Sequence, residues 1–201
     1  MRRLLKTPTT FFLIFTFVLL TSSFKFYNSK YLIIPEGDYI DWQSNTKLKY
    51  SDFKANKKWN QGNTVASSYC GFGYSITNNN GEISGSIFVR FYDEKSWFNP
   101  DLEESDKINY ILKHEQLHFD ICELFGRKLY KEVLLLIELN KLNQRSINRV
   151  QSNLDKQYSN YQKKYDKETN HSINVENQLM WNTKIKRELA SLSNYSNYNS
   201  F

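Results

Sequence analysis

A chain of 201 residues that is 40% hydrophobic and 16% aromatic holds enough apolar side chains for one buried core without metal or disulfide staples. That composition excludes a disordered polypeptide, a collagen-like repeat and a multi-span membrane protein. Half of the formal charge of +6 comes from Arg2, Arg3 and Lys6, and the remaining cations form no stripe and no nucleic-acid-binding motif, so no nucleic-acid partner is expected.

The first segment carries those three cations, then the apolar run Phe11–Leu20, then Thr21, Ser22 and Ser23. This is the charged, hydrophobic and small-residue order of a secretory signal, expected over residues 1–23, and it predicts export to the periplasm or the medium. The alternative is a retained membrane anchor, since Thr7–Phe24 is an uncharged run of 18 residues. After cleavage no stable membrane association is expected.

From Tyr31 to Trp97 the pattern is one of short strands. They are expected at Tyr31–Ile34, Lys47–Phe53, Val65–Ile76 with breaks at Gly71 and Gly73, and Ser86–Tyr92. Asn78, Asn79, Asn80 and Gly81 mark a turn before the last of these. Asn99, Pro100 and the acidic residues after them then favour a helix start there or at Ser105.

Apolar residues from Ile108 to Ile137 recur broadly enough for a long, mostly buried helix running past Leu139. A polar break at Asn140–Asn143 precedes a more hydrophilic helix over Ser146 to about Tyr165, and a third helix is expected over Val175–Leu192. Residues 24–192 are thus expected to form one α+β domain of antiparallel strands followed by three helices, and 193–201, rich in Asn and Ser, a frayed tail.

His114-Glu115-Gln116-Leu117-His118 is an H-E-x-x-H pattern inside the long helix, where residues four apart share a face and two imidazoles can grip one zinc ion. A charged Glu and two His within an apolar helix would each be costly to bury without partners or a metal. Glu115, beside the first ligand, is then the candidate general base.

The third ligand follows from helix length. About 26 residues, or roughly 39 Å at 1.5 Å per residue, separate the motif from the break near Leu142, and an antiparallel return of equal length ends near Glu168. His171, the third of three histidines, is favoured as the ligand, with Asp166 and Glu168 as alternatives. Cys122 lies one turn past His118 but would wrap a metal poorly from the same helix; core packing or a disulfide to Cys70 suits it better. Glu123 is placed to pair with Arg127 four residues on.

The stretch His114–Ile121 with Glu123 and Arg127, and Tyr165–His171 with Gln178 and Trp181, resembles the bacterial family called domain of unknown function 922. Gly71–Tyr74 and Ser96-Trp97 share in the resemblance, which extends over about Tyr31–Leu192. Members of that family are predicted secreted zinc-dependent proteases.

The resemblance implies a zincin-like metallopeptidase fold with His114 and His118 as ligands and Glu115 as base. An extended protein or peptide substrate is expected along an edge strand, nominated as Ser86–Tyr92, with Tyr165 a candidate donor to the oxyanion. Two other functions fit the same residues: a zinc-stabilised binding or scaffold protein, and a zinc hydrolase of non-peptidic, cell-wall amide bonds.

Overall fold

The strands form where β-branched and aromatic residues alternate, and the first of them is short. A computed structural model describes residues 38–45, 47–56, 65–80, 82–99 and 105–201. The expected leader, the strand Tyr31–Ile34 and the helix start at Pro100 lie outside these residues. Among the described residues five strands, β1 (Tyr39–Asp41), β2 (Ala66–Ser67), β3 (Cys70–Asn79), β4 (Glu82–Tyr92) and β5 (Trp97–Phe98), are followed by three α-helices, α1 (Ser105–Glu138), α2 (Gln144–Thr169) and α3 (Val175–Ser191). The protein is therefore α+β, with antiparallel strands preceding the helices.

Strand β4 is central, in a sheet ordered β1-β4-β3, and β2 pairs separately with β5. The β3–β4 hairpin closes with Asn79 opposite Glu82. Asn80 takes the left-handed conformation, φ 54°, that such a tight connection demands.

Three expectations for this half are corrected. Lys47–Phe53 is not a strand: Tyr50–Asp52 is a 3-10 turn. Asp52 accepts from Lys49 N (2.7 Å), a local side-chain bond that competes with a strand ladder, and Leu48 N donates to Gln116 Oε1 at 2.8 Å. The segment Val65–Ile76 divides at Ser68-Tyr69, not at its glycines, and its second part continues to Asn79.

Ser86–Tyr92 is not a free edge. β3 runs along one side of β4; on the other, β1 pairs with Arg90–Tyr92 and the last residues of the sequence pair with Gly85–Ile87. That pairing also corrects the frayed tail. Gly85 and Phe201 exchange backbone hydrogen bonds of 3.0 and 2.9 Å, and Ile87 N donates to Tyr198 O at 3.0 Å. Gly85 is required there, because a Cβ would lie 2.5 Å from the Phe201 ring and 2.4 Å from Ser75 O.

Tyr198 is buried and donates to Glu123, a fully buried carboxylate that also accepts from Arg127 Nε at 2.7 Å. Burial pushes the Glu123 carboxyl up, and those two hydrogen bonds oppose the shift. The Glu123–Arg127 pair is thus structural, and Arg127 extends it to Leu189 O at 2.9 Å.

The outer edge of β3 is covered by α2 in place of a strand: Gln151 Nε2 donates to Phe72 O and Tyr158 OH to Cys70 O, each at 3.3 Å. Helix α1 crosses the sheet at Gly126, where an added Cβ would lie 2.3 Å from Val89 Cγ2. Around the crossing Phe72, Phe91, Phe119 and Phe125 are buried.

Replacing a helical glycine by alanine usually stabilises by up to ~1 kcal/mol, but overpacking a close contact costs ~1–3 kcal/mol. Gly126→Ala is therefore expected to lower the melting temperature, and Val89→Ala to recover part of the loss in the double variant. Unchanged or higher stability of Gly126→Ala in thermal denaturation would contradict this packing.

The helix boundaries shift modestly from expectation. α1 stops at Glu138, short of Leu139, and closes through Lys141 N to Leu136 O with Asn140 at φ 52°. Asn143 caps α2 by accepting from Ser146 N while Ser146 Oγ accepts from Asn143 N, so the helix begins at Gln144, and it runs one turn beyond Tyr165, to Thr169. α3 ends at Ser191. Among the described residues no helix is long and apolar enough to cross a membrane.

Candidate metal centre

One turn of α1 separates His114 from His118 and keeps both on one face, and the antiparallel return of α2 lays Asp166 against them. The two imidazole Nε2 atoms lie 3.2 Å apart. Asp166 Oδ1 is 2.9 Å from the Nε2 of His118 and 3.3 Å from that of His114. Two donors each about 2.0–2.2 Å from a tetrahedral metal ion lie roughly 3.3–3.6 Å apart. Of the three separations here one matches at 3.3 Å and two are shorter, at 3.2 and 2.9 Å, so the three atoms converge closely enough to share one small divalent cation after a small outward shift. His114, Glu115 and His118 also offer ligand atoms within 4.8 Å of one another, enough to hold a metal ion.

The far side of each ring is fixed. His118 Nδ1 meets Gln162 Oε1 at 2.6 Å and His114 Nδ1 meets Gln178 Oε1 at 2.9 Å. Each amide is oriented in turn, since Gln162 Nε2 donates to His118 O and Gln178 Nε2 to Asn182 Oδ1, both at 3.0 Å. An Nδ1–H held by a carbonyl oxygen leaves the Nε2 lone pair facing the shared centre.

Tyr165 backs this arrangement from α2. Its fully buried ring stacks on His114 at 4.6 Å between centroids. Its hydroxyl donates to His114 O (3.2 Å) and Gln178 Oε1 (2.9 Å), so it is not available as an oxyanion donor. Burial pushes the phenol well above its ordinary range.

Glu115 is 4% exposed, and its Oε2 is a buried oxygen without a hydrogen-bond partner among the described residues. An unpartnered buried carboxylate oxygen is costly and marks a place where a proton or a donor belongs. The helix around it is anchored to the strands, for Ser68 Oγ donates to the Glu115 carbonyl at 3.4 Å, and Trp42 Nε1 to Asp120 Oδ1 at 2.9 Å.

Of the three candidates for the third position, Asp166 alone meets both imidazoles. Glu168 turns to α3, where its Oε2 accepts from Trp181 Nε1 at 2.8 Å. His171 lies past the end of α2 with its side chain 68% exposed and its Nδ1 3.9 Å from Asp166 Oδ1. Cys70 and Cys122 are both free thiols, and burial pushes each up.

Gln162 and Gln178 went without a role in the sequence. Gln162 stands one turn before Asp166, and Gln178 is the polar member of the α3 stripe completed by Trp181 and Ile185, which is the available signal for both.

Without metal, burial works against a charged His118, but its hydrogen bond to Asp166 and the nearby Glu115 charge outweigh burial and raise the ring to about 9. Burial likewise opposes an ionised Asp166, yet the hydrogen bonds from His114 and His118 hold it below the carboxylate range. Both directions report the same ion pair.

A raised His contributes stability that is complete below its ordinary value of about 6.5 and is lost as pH rises through the folded value. The metal-free protein is therefore expected to lose thermal stability as pH is raised from about 6.5 to about 9 in chelator, and His118→Gln to remove that slope. Parallel pH profiles for the two proteins would contradict it.

The family model for the bacterial protein of unknown function DUF922 matches residues 97–172. The match runs from β5 to just past α2, so it contains His114, Glu115, His118, Asp166, Glu168 and His171 and supports the family resemblance over that span. β1 to β4 and α3 stand outside it. No curated protein and no solved structure matches the chain.

Proposed function

We propose that the protein is an exported zinc-dependent metallopeptidase, with His114, His118 and Asp166 as metal ligands and Glu115 as general base. The observation that carries this reading is the convergence of two imidazole nitrogens and one carboxylate oxygen within 3.3 Å, beside a buried carboxylate oxygen that has no partner among the described residues. Three ligands leave a fourth position for a reactant, whereas a purely structural zinc usually takes four protein ligands and has no use for Glu115. The leader-like residues 1–23 support export.

A zinc ion held there supplies Lewis acidity, lowering the pKa of water towards roughly 7 and polarising a carbonyl. Glu115 takes the proton of the attacking water and passes it to the leaving amine. Gln162 and Gln178 keep both imidazoles turned to the centre, and Tyr165 holds the His114 ring by stacking. The H-E-x-x-H helix and the family resemblance support a peptide bond as the one cleaved. With β4 flanked on both sides, an extended substrate has to lie elsewhere than along it.

The test is zinc content and hydrolysis of a peptide library by the chain lacking residues 1–23. One zinc per chain is expected, with cleavage abolished by chelation and restored by zinc. Absence of zinc after reconstitution, or cleavage of cell-wall amide fragments but of no peptide, would overturn the peptidase reading.

A further inference from the structure

Three consecutive residues without glycine's freedom, Asn170, His171 and Ser172, hold φ of 49°, 50° and 74° directly beside the candidate metal centre. Left-handed backbone is unfavourable for such residues, and a run of three persists only when neighbouring bonds impose it. Here His171 N donates to Asp166 O (3.0 Å), Ile173 N to Asn170 O (3.1 Å) and Asn174 N to Thr169 O (2.8 Å).

The result is an imidazole strapped to the rim. Its side chain is 68% exposed, and its Nδ1 stands 3.9 Å from the Asp166 oxygen that faces both other histidines. That distance is too long for a hydrogen bond.

Hydrolysis of an amide places negative charge on the carbonyl oxygen, and a positioned hydrogen-bond donor at that oxygen accelerates the step. Other polar groups around the centre are committed, except Glu115 Oε2, which cannot donate as a carboxylate, and Tyr110 OH, both buried without a hydrogen-bond partner among the described residues. Tyr165 OH is spent on His114 O and Gln178; the amides of Gln162 and Gln178 are spent on the imidazoles and on His118 O and Asn182; Glu168 holds Trp181. His171 is exposed beside them and makes no ring hydrogen bond among the described residues.

We propose that His171 is a catalytic residue that faces the substrate and donates a hydrogen bond to the carbonyl oxygen of the bond being cleaved. It forms no covalent bond and does not ligate the metal; the water's proton still travels through Glu115. This inference rests on the metallopeptidase reading above.

The experiment compares wild type, His171→Ala and His171→Asn, zinc-loaded and cobalt(II)-substituted, the last variant keeping a donor and tolerating left-handed backbone. His171→Ala is expected to lower kcat roughly 10²–10³-fold with KM within about twofold, and His171→Asn to recover about tenfold of it. Zinc stays at one per chain and the cobalt absorption bands do not move. Affinity for a peptide phosphonate that mimics the tetrahedral state falls in step with kcat.

Loss of zinc or shifted cobalt bands in His171→Ala would make His171 a ligand and overturn the proposal, as would unchanged kcat in an active enzyme. A wild type that binds zinc and cleaves no peptide would overturn the underlying peptidase reading, and this proposal with it.

Discussion

Asp166→Ala is expected to leave the purified protein without zinc, while Glu168→Ala and His171→Ala retain one ion per chain. The difference follows from position. Asp166 Oδ1 lies within 3.3 Å of both imidazole Nε2 atoms, whereas Glu168 is held by Trp181 and His171 stands at the exposed rim. Removing an outer partner such as Gln162 should weaken metal binding by about 10–100-fold, and removing Asp166 by more than that. Asp166 is 30% exposed, so its truncation leaves no cavity in the core, and circular dichroism should stay that of the wild type. Zinc retained by Asp166→Ala and lost by His171→Ala would reverse the assignment.

Glu115→Gln is expected to keep its zinc and to lose turnover by at least about 10²–10⁴-fold, the usual worth of a general base. Gln matches Glu in volume, so the buried position remains filled. It also removes a charge whose Oε2 has no hydrogen-bond partner among the described residues, and burying such a charge is costly. The melting temperature should therefore rise as activity falls, which is the pattern of a residue kept for chemistry at the expense of stability. Turnover equal to wild type would remove Glu115 from the mechanism, and a lower melting temperature would mean that its carboxylate serves packing.

The helical half of the molecule could be read from spacing because its logic is local. His114 and His118 share a face at four residues, and the lengths of α1 and α2 around the break at Asn140–Asn143 return Asp166 to the motif. The choice among Asp166, Glu168 and His171 could not be made in that way. It turns on where α2 ends, and α2 continues to Thr169 before Asn170, His171 and Ser172 reverse the chain in left-handed backbone. It also turns on α3, whose Trp181 takes Glu168 out of the site.

The strand half was harder because its partners are distant in sequence. Nothing near Ser86–Tyr92 announces that Tyr198–Phe201 will lie along it, and the polar composition of 193–201 hides the spacing of Tyr195, Tyr198 and Phe201. Gly85 carries the one local trace of that contact, a residue without a side chain opposite the Phe201 ring. The 3-10 turn at Tyr50–Asp52 was hidden in the same manner, since Leu48 N is held by Gln116 from α1, 68 residues away.

The most direct test of the account is anomalous diffraction at the zinc edge from crystals of the zinc-loaded protein. One peak is expected within about 2.0–2.2 Å of His114 Nε2, His118 Nε2 and Asp166 Oδ1, with the His171 ring outside that shell. A peak bound by His171 in place of Asp166, or no peak between the two helices, would contradict it.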